Sequence, residues 1–139
     1  MSGLMPTHQC FDDAIEFIVE ELHRDAKNAA NYRVAHAICL NPHTGEPYAH
    51  AWVEGLELKP ECDDVVVEGF LLGGVRVWVA CPRAELYEQL RPQKIVHYTV
   101  EEWHKENVRS EHYGPWDPEI RKLCDEAEGR PPRVWERAP

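Results

Sequence analysis

The stretch that most limits the architecture of this chain runs from Tyr32 to Glu54, where two alternating segments, YRVAHAICL and PYAHAWVE, flank NPHTGE. Alternation at period two marks half-buried strands, and Pro42 and Gly45 punctuate the link, so the simplest reading is a β-hairpin. Just upstream, in CFDDAIEFIVEELHRD, Phe11, Ile15, Ile18 and Leu22 follow helical spacing. Asp12 and Asp13 sit where a helix N-terminus favours negative charge. The hairpin is therefore preceded by an amphipathic helix.

Beyond the hairpin, DDVVVEGFLLGGVRVWVAC holds β-branched clusters broken by Gly69 and by Gly73-Gly74, which predicts two more strands in a largely buried sheet. PRAELYEQL reads as a short helix and KIVHYT as a further strand. Thr99 and Glu102 form a capping-box pattern that opens a helix through about Arg109. Asp117-Pro118 opens another over PEIRKLCDEAE, and GRPPRVWERAP reads as a Pro/Arg-rich tail that Trp135 could pin to the body. The expected architecture is α+β: one domain over 1–128, its first helix packed on an antiparallel sheet, and a tail over 129–139. No internal repeat is visible.

A chain of 139 residues can bury a real core in one domain, and 43% hydrophobic residues with five tryptophans suit one. A formal charge of −10 argues against a partner made of nucleic-acid phosphate. Protein, peptide or small molecule is the expected partner. The cysteines Cys10, Cys39, Cys62, Cys81 and Cys124 include no CxxC pair, which points away from a zinc knuckle or a secreted disulfide framework and toward a reducing cytoplasm. No apolar run approaches the ~18 residues of a membrane span, and MSGLMPTHQC lacks a basic region followed by an apolar one, so no membrane partner is expected.

Chemistry concentrates at Cys10. At the start of the first helix, unpaired backbone N–H groups and the positive dipole end stabilise a thiolate. A cysteine nucleophile also needs a base and a group that orients the base. On the alternating strand Tyr48, His50, Trp52 and Glu54 share one face, so the aromatic neighbours wall His50, while Ala49 and Ala51 let a helix approach closely. Glu68, ending VVVE, is placed to fix the His50 tautomer. Gln9 could donate its amide to a developing oxyanion.

Taken in order, QCFDDAI, YRVAHAICL, PYAHAWVE and DDVVVEGF resemble the Cys-helix, strand, His-strand, acid-strand succession of the transglutaminase-like branch of the papain-like cysteine enzymes. The likeness is nearest to small proteins of that type from bacterial and phage genomes, which also carry a segment like HYTVEEWHKENVRSEHYGPWD, and it spans about Gln9 to Trp116. It implies Cys10 as nucleophile, His50 as base, Glu68 in the place of the usual aspartate, and Gln9 loosely in the oxyanion position. Relatives tend to read Val-Asp-Pro where this chain reads Val-Glu-Gly, which leaves Asp64 as another source of the third group.

Cys39, Cys62, Cys81 and Cys124 lack such company and read as structural. A zinc site from His36, His43, His50 and Cys39 is disfavoured, because His36 and Cys39 fall on opposite strand faces; neither a metal nor a cofactor is expected. The acids Glu57, Glu61, Asp63 and Asp64 read as a solvated edge that could repel acidic substrates. In HYGPWD, Gly114-Pro115 either turns the chain so that Trp116 plugs the core, or presents Tyr113 and Trp116 to a groove beside Cys10. The function expected is thiol acyl chemistry on a peptide or carboxamide, ending on water or on an amine. The alternative is a catalytically inactive phage or mobile-element protein that occupies a protein partner through an acidic, Trp-containing surface.

Overall fold

The structure, a computed structural model, describes residues 3–6, 9–55 and 65–128. Strand β2 (Tyr32–Leu40) and strand β3 (Pro47–Gly55) form the hairpin, paired without a break from Tyr32 opposite Gly55 to Leu40 opposite Pro47. Asn41 closes the link: its Oδ1 accepts from the backbone N–H of His43 at 2.8 Å and of Thr44 at 3.2 Å. Strands β4 (Val65–Leu72) and β5 (Val75–Pro82) form a second hairpin. Its two-residue turn needs positive φ at both positions, which Gly73 (58°) and Gly74 (82°) supply. Strand β6 (Lys94–Thr99) pairs with the free edge of β2, and β1 (Leu4–Pro6) pairs with β4, completing a six-stranded antiparallel sheet.

One edge of β4 is shared by two partners. Val65–Val67 pair with Gly55–Val53 of β3, whereas Phe70–Leu72 pair with Pro6–Leu4 of β1. Glu68 and Gly69 lie at the changeover, paired with neither. The sheet therefore forks there, and the segment of β3 before Val53 has no β4 partner beside it. A chain leaving β1 at Pro6 has three residues before helix α1 (Cys10–Arg24) begins, so the helix N-terminus is delivered to the fork.

Ile15 and Ile18 of α1 are buried against Val34, Val53 and Val67, with Trp103 of helix α4 (Val100–Ser110) on the same side. Burying an isoleucine of this kind contributes about 1.5–3 kcal/mol. At the other end of that face Phe11 and Ala51 meet Ile120 of helix α5 (Pro118–Glu128). The opposite face packs Ala35, Ala37, Trp52 and Val66 under Leu86 of helix α3 (Arg83–Leu90). The one-turn helix α2 (Ala26–Ala29) links α1 to β2.

The α+β class, the Cys-bearing helix on an antiparallel sheet and the later helices match the sequence reading. The Thr99 cap is reciprocal, each of its two bonds with Glu102 measuring 3.1 Å, and α4 runs one residue past Arg109. β1 and α2 were not anticipated. The acidic segment with Glu57, Glu61, Cys62, Asp63 and Asp64, and the tail with Trp135, lie outside the described residues. Among the described residues no helix is long and apolar enough to cross a membrane.

Candidate active site

A cavity of about 1040 Å³ opens at the fork, floored by Tyr48 to Trp52 of β3 and Val67 to Phe70 of β4, and closed by the first turn of α1. Because the β4-side edge of β3 has no partner there, residues from both of its faces reach the cavity. Cys10 is the first residue of α1, and Gln9 is its N-cap without a side-chain cap hydrogen bond. The first intrahelical bond runs from Asp13 N–H to Gln9 C=O at 2.8 Å, so the N–H groups before it are left for other acceptors.

Cys10 and His50 line the same cavity, near enough that Cys10 acts on the imidazole. The His50 Nε2 lies 2.6 Å from Glu68 Oε2, which leaves Nδ1 for the sulfur. Burial pulls the imidazole pKa down, but its interactions with Cys10 and Glu68 outweigh that and raise the pKa to about 10. The balance favours the protonated ring. Tyr48 and Trp52 flank it, each ring centroid 5.8 Å from its own. The Tyr48 phenol stays protonated, pushed up to about 12 by burial and by the neighbouring Cys39, Glu68 and Cys10.

The helix is brought this close by a contact the sequence did not reveal. Asp13, 2% exposed, lies over Gly69, where a Cβ would stand 2.8 Å from the Trp78 ring and 3.0 Å from the Asp13 carboxylate. Arg76 of β5 reaches up to Asp13 at 3.3 Å, pairs also with Glu16, and lies over the Trp78 ring at 5.6 Å. Gly69 serves close approach.

The structure brings Gln9, Cys10, Tyr48, His50, Trp52, Glu68 and Tyr113 to one cavity, though Trp52 is 1% exposed and forms its deep wall rather than an open surface. Trp116 does not line it. Its ring packs on His36 and Tyr98, and its Nε1–H donates to Ser110 Oγ at 2.9 Å and to His112 C=O at 3.2 Å. It plugs the core behind Gly114, whose φ of 104° and close approach to His36 fit only glycine. Asp64 is outside the described residues. Sequence reading missed Phe17, Phe70, Trp78, Asn107, Glu111 and His112 on the walls.

The other cysteines differ in setting. Burial pushes the Cys39 thiol up to about 12 and raises that of Cys81, so neither is a thiolate at neutral pH. Cys124 lines the cavity from α5. His36 packs on Phe11, on the α1 side, while Cys39 packs with Trp52 on the other face. Among the described residues no group of three or more His, Cys, Asp or Glu side chains could hold a metal ion.

A second histidine-carboxylate pair lies outside the cavity. Glu54, fully buried, accepts from Tyr87 O–H at 2.6 Å and lies 2.5 Å from His97 Nε2. Burial works against its charge, but those bonds and nearby Arg83 hold its pKa below the usual carboxylate range. It ties β3, β6 and α3 together.

No family model matches the chain, and no curated protein or solved structure matches it closely enough to count as a relative.

Proposed function

We propose that this protein performs cysteine-dependent acyl chemistry on a peptide or carboxamide bond, in the manner of the transglutaminase-like branch of papain-like enzymes. The observation that carries this reading is the gathering of Cys10, at the first turn of α1, with the bonded His50–Glu68 pair inside one cavity. A thiolate at Cys10 attacks the carbonyl carbon. The negative charge passes to the carbonyl oxygen, which the N–H groups at the start of α1 and the Gln9 amide would stabilise. His50 gives its Nδ1 proton to the leaving amine, the C–N bond breaks, and a thioester remains on Cys10. Neutral His50 then takes a proton from the attacking water or amine, and collapse of the second adduct restores thiolate and imidazolium. Throughout, Glu68 holds the ring with Nδ1 toward sulfur and stabilises its charged form.

The test is capture of the acyl-enzyme. Peptide carboxamides incubated with the protein and quenched in acid should add their acyl mass to the Cys10 peptide and release the amine, and Cys10→Ala should add nothing. Absence of any adduct, together with iodoacetamide labelling of Cys10 no faster than that of 2-mercaptoethanol at the same pH, would favour the non-catalytic binding protein.

A further inference from the structure

The cavity around Cys10 is electrically lopsided. At one wall α1 presents its N-terminal N–H groups, the positive end of its dipole, to the sulfur. Another part of the wall is the last turn of α4 and the residues after it: Asn107, Glu111, His112, Tyr113 and Gly114. α4 ends there with Glu111 as its C-cap in the left-handed conformation, so the negative end of a second helix dipole and a full carboxylate charge lie together at the rim. Asp12, exposed on α1, adds another carboxylate.

Among the described lining residues the histidines are the only side chains that can carry positive charge. No lysine or arginine lines the cavity among the described residues. Nearby Arg76 is engaged with Asp13 and Glu16, and the Glu68 charge is matched by His50. The lining is also rich in aromatic residues, Phe17, Tyr48, Phe70 and Tyr113 among them, a residue type that attracts cations. A low-dielectric cleft lined by one sign of charge focuses its field on the ligand.

We propose that the substrate taken at this site is a basic peptide, with a lysine or arginine beside the reacting carboxamide whose charge sits between Glu111 and the aromatic walls while the carbonyl faces the α1 N-terminus. This rests on the reading of Cys10 as nucleophile. An acidic peptide would bring its carboxylate against Glu111 and the α4 carbonyls and is disfavoured.

The field can be measured without turnover. Cys10 is modified by two methanethiosulfonates of similar size, aminoethyl (cationic) and sulfonatoethyl (anionic); the sulfur forms a mixed disulfide and methanesulfinate leaves. Rates are read by mass spectrometry on the Cys10 peptide and normalised to those of 2-mercaptoethanol. The cationic reagent should lead by about fivefold or more at low salt, a lead that shrinks as salt screens the rim. Glu111→Gln combined with Asp12→Asn should remove most of it. Equal normalised rates, an anionic lead, or a cationic lead untouched by both substitutions would overturn the proposal. Labelling needs only an accessible thiol, so failure of the acyl-transfer reading shows separately, as absence of the thioester.

Discussion

Glu68 and a glutamine in its place would both bond the His50 ring, but only the carboxylate balances a charge there. Charge-assisted hydrogen bonds are about twice as strong as neutral ones. Glu68→Gln should therefore slow iodoacetamide alkylation of Cys10 near neutral pH by about tenfold, the equivalent of about 1.4 kcal/mol, while thermal melts shift little. Gly69 makes a different demand. A methyl there would stand 2.8 Å from the Trp78 ring, so Gly69→Ala should cost about 1–3 kcal/mol in denaturant unfolding and also slow Cys10 labelling, because α1 must back away from the fork. Trp116→Ala should show the reverse, a loss of about 3 kcal/mol with labelling in the folded fraction within about twofold, since that ring supports Gly114 from behind. On the page of sequence Trp116 was ambiguous: a tryptophan after Gly-Pro reads alike whether it plugs a core or lines a groove.

At the scale of elements, α1 is held by two different forces, apolar burial along its length and the Arg76 link at its start. Arg76→Met leaves Asp13 buried without that counter-charge and should destabilise the fold by about 3 kcal/mol, with loss of Cys10 reactivity measured in the folded state. Thr99→Ala, which removes the α4 cap at the end of β6, should cost about 1 kcal/mol and leave Cys10 reactivity unchanged. The longer elements were legible because each carries its own period or cap: Phe11 to Leu22 for α1, the alternation around His50 for β3, Thr99 with Glu102 for α4. β1 is three residues ending in proline, and α2 is a single turn, both too short for any period to show. The fork was hidden for another reason. Alternation tells which residues share a face, but the ladder of β3 and β4 stops at Val53 opposite Val67 because β1 takes over the edge, a pairing between segments far apart in the chain. The Glu54 bond to His97 was hidden in the same way.

For the whole molecule, two histidines pull the pH dependence of stability in opposite senses. Burial pushes His36 down to about 3, with Asp117 raising and His112 lowering it, so the unfolded chain binds one more proton below about pH 6.5. Stability falls as pH drops from about 6.5 toward 3. His50 stands at about 10 when folded, so its stabilisation is complete below about pH 6.5 and is lost as pH rises toward 10. Denaturant melts across pH should give a maximum near 6.5, with His36→Met flattening the acid limb alone. The same imidazolium is the centre of the proposed chemistry, and it can be observed directly by nitrogen NMR of the His50 ring at about pH 7.5. Both ring nitrogens should be protonated in the native protein, and Cys10→Ala should lower the pH at which the ring loses its proton. A neutral His50 ring that titrates near 6.5, indifferent to Cys10, would contradict a thiolate-imidazolium pair at this site.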